Sequence, residues 1–249
     1  MSEFSHALVV GASSGIGEAL ARRLAADGVR VALVARREEN LRRIMEEINA
    51  AAGSDRAIAV AHDVRRIDEV PDLVQEIARR LCGLDLAIYA AGSMPAVAAD
   101  EFDTAKDREM IETNLLGAVA WLNPIAERMA RLGRGTIVGI GSVAGDRGRS
   151  PNPVYCTSKA GFHAYLEALR NRVAKLGVGV VTIKPGFVDT AMTHGKEGLF
   201  WLISADRAAE IILNKARRGV VTAYVPARWR LVMTVIRSIP SFIFSRLGI

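Results

Sequence analysis

Six short runs along this chain are apolar at nearly every position and rich in β-branched residues. They are His6 to Gly11 (HALVVG), Arg30 to Ala35 (RVALVA), Ala57 to Ala61 (AIAVA), Leu84 to Ala90 (LDLAIYA), Gly135 to Ile140 (GTIVGI) and Val178 to Lys184 (VGVVTIK). A run without polar alternation suits a strand buried on both faces. Between the runs lie longer stretches of helical periodicity: Ile16 to Ala26, Glu38 to Ala51, Glu69 to Cys82, Arg108 to Leu132 and Val154 to Leu176. Strand then helix, repeated, requires parallel strands joined by right-handed crossovers, with helices over both faces of the sheet. The predicted architecture is an α/β protein with a doubly wound parallel sheet in three layers, α/β/α. No Pro/Gly/Ser-rich linker or solenoid-type repeat breaks the pattern, so residues 1–249 are expected to form a single domain.

Composition agrees and removes some classes. A chain of 249 residues, 50% hydrophobic and 24% charged, can bury a large core and is not of the disordered type. Its two cysteines, Cys82 and Cys156, match neither a metal-ligand spacing nor a disulfide framework. No metal is expected, and a reducing, cytoplasmic setting is the simplest reading. The opening MSEFSHALVVGASSG lacks a charged segment followed by an unbroken apolar one, so it is not read as a signal peptide. The net charge of +6 is unevenly spread: from Ile211 to Ile249 there are seven basic residues and no acidic ones, while the first 210 residues carry a net of −1.

Two motifs carry candidate chemistry. The first run leads into Gly11-Ala12-Ser13-Ser14-Gly15-Ile16-Gly17 and then a helix. Glycines there let the backbone turn tightly and approach a ligand, and the helix N-terminus offers unpaired N–H groups to a phosphate. Further on, Tyr155 and Lys159 stand four apart at the start of a long helix, so phenol and ammonium share one face. A cation close to a phenol, which ordinarily titrates near ~10, favours the phenolate and proton exchange near neutrality. Neither motif is specific alone. A glycine turn can serve folding only, and Tyr-x-x-x-Lys is common on helix surfaces.

With Gly-x-x-x-Gly-x-Gly near the N-terminus and Tyr155-x-x-x-Lys159 downstream, the sequence resembles the short-chain dehydrogenase/reductase family, in its single-domain branch, over residues 5–225. Asn114 in TNLLG, Ser142 in GIGSVAG, Tyr155 and Lys159 follow the order of the family's Asn-Ser-Tyr-Lys tetrad. The resemblance implies a Rossmann-type fold and catalytic roles for all four. Tyr155 would be the general acid or base, Lys159 would hold the nicotinamide ribose, Ser142 would bind the substrate oxygen, and Asn114 would anchor a water that links Lys159 to solvent. It also implies cofactor contacts at Gly11, Ser13, Ser14, Gly15, Ile16 and Gly17, at Asp63 and Val64, at Ala91 and Gly92, and at Pro185, Gly186, Val188 and Thr190, with Asn114, Tyr155 and Lys159 beside them.

Cofactor choice is read after the second run, where a carboxylate would favour NAD. This chain has Ala35, Arg36 and Arg37 instead, which favours NADP(H), with Arg36 as the main phosphate clamp and Arg37 as its helper. The alternative is that both arginines are solvated residues at a helix start. The sequence departs from the family at Tyr89-Ala90-Ala91-Gly92, where Asn-Asn-Ala-Gly is common, so a different brace for the sheet is expected.

The loop after Thr190 is apolar at Met192, Leu199, Phe200, Trp201 and Leu202, which either pack beneath the next helix or line a hydrophobic lid. The basic, apolar segment 228–249 holds Trp229, Leu231, Val232, Met233, Val235, Ile236 and Ile239. As a helix, Arg228 to Ile239 would be about 18 Å long, short of the ~30 Å hydrocarbon core. It suits either a membrane interface with anionic lipid or burial against the body or a partner subunit. With SVAGDRGRSPNPVY, this tail is similar to the branch that includes the keto-reductase of decaprenylphosphoryl ribose epimerisation, which would imply a polyprenyl-linked sugar ketone. The expected function is NADP(H)-dependent interconversion of a ketone and a secondary alcohol, on a hydrophobic or lipid-linked substrate. The alternatives are a 3-oxoacyl or steroid-type ketone reductase, the lipid-linked sugar reductase, and a non-catalytic NADP-binding sensor or scaffold. Nucleic acid is not an expected partner, because the basic excess is confined to an apolar tail without a recognition motif. The family implies a homodimer or homotetramer, in the cytoplasm or peripheral to the membrane.

Overall fold

Along β1 (His6–Val10), Ala7 and Val9 enter one apolar layer while Leu8 and Val10 enter the other. β2 (Arg30–Ala35) divides in the same way, with Val31, Leu33 and Ala35 on one side and Ala32 and Val34 on the other. Both faces are dry, which is why the sequence shows no polar alternation there. The computed structural model describes residues 4–98, 100–195 and 198–247. The two ends of the expected 1–249 domain, the last two residues of the 228–249 segment, and Lys196 and Glu197 of the substrate loop lie outside the described residues.

After β1 come α1 (Gly15–Ala26), β2, α2 (Glu38–Ala52), β3 (Ala57–Ala61), α3 (Val70–Leu81) and β4 (Leu86–Tyr89). Then follow α4 (Thr104–Ile111), α5 (Gly117–Leu132), β5 (Gly135–Ile140), α6 (Pro153–Val173) and β6 (Val178–Pro185). The chain continues through β7 (Val188–Asp189), β8 (Ile203–Ser204), α7 (Ala205–Arg217), β9 (Thr222–Val225), α8 (Trp229–Ser238) and α9 (Ser241–Phe244). The main sheet has seven strands in the order β3-β2-β1-β4-β5-β6-β9, all parallel, with Val9 beside Leu33 of β2 and Ile88 of β4. Helices α1, α2 and α7 cover one face through residues such as Leu20, Ile44 and Ile212. Helices α3, α5 and α6 cover the other through Ile77, Trp121 and Phe162. Each fully buried side chain of this size contributes roughly 1.5–3 kcal/mol. The fold is the Rossmann-type doubly wound sheet. Strand order reverses between β1 and β4, which opens a crevice at their carboxyl ends.

The six expected strands are all present, and among the described residues the structure adds β9 to the main sheet and the short pair β7 and β8 beside it. β9 is an edge strand in which only Ala223 and Val225 are buried, so it carries alternation rather than an apolar run. The helix expected from Arg108 to Leu132 is divided. α4 begins earlier, capped by Asp103, whose carboxylate accepts from Ala105 N at 2.8 Å, and a wide π-type turn at Glu112–Leu116 separates it from α5. Such turns gather at functional sites. The stretch from Val154 to Leu176 is α6, followed by a 3-10 turn at Ala174–Leu176.

The brace implied by the missing asparagines is visible. Tyr89 is fully buried, and its phenol donates to the Thr113 carbonyl in the wide turn at 2.7 Å. The ring packs edge-on against Phe162, 5.8 Å between centroids. Gly117 is needed beside it, since a Cβ there would stand 2.9 Å from the Tyr89 hydroxyl. Tyr89→Phe should leave the Thr113 carbonyl without this donor and cost about 1–3 kcal/mol in urea unfolding; an unchanged midpoint would show that the hydroxyl does not brace the sheet.

The tail folds back on the body. Trp229 and Met233 of α8 are buried against Val143, with Phe187 and Tyr224 packed alongside. Arg147 Nη1 donates to the carbonyls of Ile236 at 2.7 Å and Ile239 at 2.6 Å, and its guanidinium lies 4.0 Å from the Phe244 ring centre. The outer side of the tail stays open, with Leu231, Val235 and Phe242 more than half exposed. Among the described residues no helix is long and apolar enough to cross a membrane.

Candidate active site

The turn from β1 into α1 depends on two glycines. Gly11 has φ +93°, and a Cβ on it would lie 2.4 Å from Ala91 N, so the strand ends of β1 and β4 meet only because it has none. Gly17 presses α1 onto the turn, since a Cβ there would stand 2.1 Å from the Gly11 carbonyl oxygen. Over this turn lies Arg37, which donates to Ser13 Oγ at 2.9 Å and Ser14 Oγ at 2.6 Å. Thr190 faces it from the other wall, with Cγ2 3.0 Å from where a Cβ on Gly15 would be.

The crevice is a cleft of about 600 Å³. Its walls include Gly11, Ser13, Ser14, Gly15, Ile16, Gly17, Arg36, Arg37, Val64, Ala91, Gly92, Ser142, Tyr155, Lys159, Pro185, Gly186, Val188 and Thr190. Two of the expected site residues stand apart. Asp63 does not line the cleft; its carboxylate is taken by Arg65, whose Nη2 donates to Oδ2 at 2.6 Å and holds it below the usual carboxylate range. Asn114 is fully buried behind the wall. Its Nδ2 donates to Ser93 O at 2.9 Å and Ser158 Oγ at 3.0 Å, while its Oδ1 accepts from Ser93 N at 2.7 Å. Asn114 therefore ties the loop after β4 to α6 at Ser158, the residue just before Lys159.

The structure also places His62, Ser93, Met94, Glu109, Met192 and Thr193 on the walls. Ser93 is fixed by Asn114 and by its own bond to Glu109 Oε1 at 2.7 Å. No local pattern announces Ser93 or Glu109, because they lie on the loop after β4 and on α4 and meet only when the wide turn brings the helix back. His62 directly precedes Asp63 in the chain, and burial keeps its ring toward the neutral form.

Tyr155 and Lys159 share one buried face of α6, and Pro153 at its first turn starts the helix just before them. Lys159 Nζ donates to the Ile140 carbonyl at 3.1 Å and lies 5.9 Å from the Tyr155 ring centre. The lowering of the Tyr155 pKa expected from the pair is not what this arrangement does. Burial pushes the phenol up, and a hydrogen bond with Ser142 only partly opposes it. Burial also brings the Lys159 ammonium down to about 8, so it is a weaker cationic neighbour than an exposed lysine.

A family model described as short chain dehydrogenase matches residues 5–198. The chain belongs to the short-chain dehydrogenase family. An uncharacterized oxidoreductase of Myxococcus xanthus (strain DK1622) is 33% identical over 236 residues, covering 94% of this chain and 92% of the relative. One of Staphylococcus epidermidis is 31% identical over 191 residues, 77% of this chain and 81% of the relative. Among solved structures, a variant of actinorhodin polyketide ketoreductase with NADPH is 28% identical, with a TM-score of 0.79 over 90% of this chain and 97% of that one. This short-chain dehydrogenase is thus an oxidoreductase of a family that uses nicotinamide cofactors.

Because the folded Lys159 titrates near 8 and an unfolded lysine near 10.5, the unfolded chain holds the extra proton between those values and stability rises with pH across that window. Lys159→Met should therefore be more stable than the wild type at about pH 7, by a margin that shrinks as pH climbs past about 8. Urea unfolding of the cofactor-free protein at several pH values measures this, and a margin independent of pH would contradict the lowered pKa of the buried lysine.

Proposed function

We propose that this chain is an NADP(H)-dependent reductase of a ketone to a secondary alcohol, or the reverse, on a hydrophobic or lipid-linked substrate. The observation that carries the reading is the convergence of Ser142, Tyr155 and Lys159 on the cleft whose other end holds the glycine turn and Arg37. The residues fit the cofactor. Ser13 to Gly17 offer hydroxyls and the N-terminus of α1 to phosphates, and Arg36 and Arg37 offer guanidinium groups to a ribose phosphate. Arg36, expected as the main clamp, and Arg37 both line the cleft, and Arg37 is already held over the glycine turn by Ser13 and Ser14. The NADPH in the actinorhodin ketoreductase structure supports the same choice.

When bound, the cofactor supplies the hydride. The chain supplies position and the proton. A phenol whose pKa is raised by burial stays protonated at neutral pH, so Tyr155 is ready to give its proton to a carbonyl oxygen held by Ser142. Lys159 would hold the nicotinamide ribose and, as an ammonium, would stabilise the phenolate left behind. Met192 is an apolar residue of the cleft wall, and Phe187, Phe200, Trp201 and Trp229 pack against one another as an aromatic group, in which Phe200 stacks on Trp229 at 5.1 Å. The exposed Leu231, Val235 and Phe242, with Arg230, Arg237 and Arg246 nearby and no acidic residue after Glu210, suit contact with an anionic lipid surface. Membership of a family that is typically oligomeric supports a homo-oligomer.

Tyr155→Phe should lower ketone reduction about 10²-fold or more while NADPH binding stays near the wild-type value; retained turnover would remove Tyr155 from the chemistry. In fluorescence titrations NADPH should bind more tightly than NADH, and Arg37→Ala or Arg36→Ala should erase the difference. Equal binding of the two cofactors by the wild type would overturn the NADP(H) assignment. Leu231→Glu with Val235→Glu should abolish sedimentation with phosphatidylglycerol vesicles, and a wild type that does not sediment with them has no membrane contact through this face.

A further inference from the structure

Ser142 opens the 3-10 turn Val143–Asp146, and its hydroxyl accepts from Ala144 N at 3.1 Å. Its backbone is held from the other side, where Ser142 N donates to His163 Nε2 at 3.3 Å. His163 stands on α6 one turn after Lys159, in space that two glycines leave open. A Cβ at Gly141 would lie 2.2 Å from Nε2, and one at Gly145 would lie 2.7 Å from Cε1.

Since Nε2 accepts, the proton of the neutral ring is on Nδ1. Nδ1 faces Asp146 Oδ1 at 3.8 Å. The Asp146 side chain is only 2% exposed, and it is itself fixed from two strands: Lys184 Nζ of β6 donates to Oδ1 at 2.5 Å and the Tyr224 hydroxyl of β9 to Oδ2 at 2.6 Å. Asp146 closes the same turn that Ser142 opens. The Nδ1–Oδ1 separation is longer than a hydrogen bond, so Asp146 acts on the ring through its position and charge.

An imidazole and a carboxylate cost desolvation at this depth, and apolar side chains would fill the same volume without that cost. What they could not do is accept from Ser142 N. We propose that His163, oriented by Asp146, is a positioning residue that fixes Ser142 for the reacting oxygen. The proposal deepens the ketone reductase reading and rests on it for the role of Ser142. Burial and the charges of Lys184 and Lys159 outweigh that of Asp146 and bring the imidazole down to about 3, so Nε2 remains an acceptor at working pH. A protonated ring would instead point a donor at the Ser142 N–H.

The test compares His163→Leu, which cannot accept, with His163→Gln, whose side-chain oxygen can. Amide hydrogen exchange at Ser142 reads the contact without any turnover. It should be about tenfold faster in His163→Leu and close to wild type in His163→Gln. With NADPH and 2-undecanone as the probe, kcat should fall about tenfold or more in His163→Leu, be largely restored in His163→Gln, and leave the NADPH KM within about twofold in both. Should His163→Leu fold poorly, Asp146→Asn makes the same comparison with the ring in place, and faster Ser142 exchange is again expected. Unchanged Ser142 exchange, or an equal loss of kcat in the Leu and Gln variants, overturns the proposal. A wild type that does not reduce the ketone counts against the reductase reading alone, and the exchange measurement still decides whether His163 holds Ser142.

Discussion

The hydrogen bond from the Tyr89 phenol to the Thr113 carbonyl fixes the carboxyl edge of the sheet to the wide turn that carries Asn114. From that turn Asn114 reaches the backbone of Ser93 on one side and the hydroxyl of Ser158 on the other. The loop after β4 and the helix bearing Tyr155 and Lys159 are thereby held at one spacing. Each of these polar groups is buried or nearly so, and each would be costly if left without a partner, which is what makes the arrangement stiff. Without the wide turn the helical rise would carry Asn114 off this line.

Burial also sets the protonation of the site. A phenol and an ammonium on one helix face suggest a lowered tyrosine pKa if the field of the lysine dominates. Here desolvation dominates both groups, raising Tyr155 and lowering Lys159. The result, in the cofactor-free protein at neutral pH, is a protonated phenol beside an ammonium that gives up its proton more readily than an exposed lysine.

The C-terminal segment has two sides with different physical tasks. Its inner side seats Trp229 over Gly186, where a Cβ would come within 1.8 Å of the indole nitrogen, so the tail forms part of the structure behind the cleft wall. Arg147 joins the end of α8 to the turn that begins at Ser142. Its outer side leaves apolar residues such as Leu231 and Val235 open to solvent.

The sequence by itself determined the sheet, because strands buried on both faces must be apolar throughout, and six such runs needed no tertiary information. It determined the glycine turn and the pairing of Tyr155 with Lys159 for a similar reason, because backbone approach and helix spacing are local constraints, whereas Asn114 and Ser142 were singled out only by the resemblance to the family. Tertiary structure decided what depends on distant groups meeting. It gave Asp63 to Arg65, set Asn114 behind the wall rather than in it, and brought Ser93, Glu109 and Met192 to the cleft. It also recruited β9, whose alternating pattern is too short to stand out, and it reversed the direction expected for Tyr155. Spacing says which residues share a face, but desolvation and partner choice follow from the packing around that face, which only the folded chain supplies.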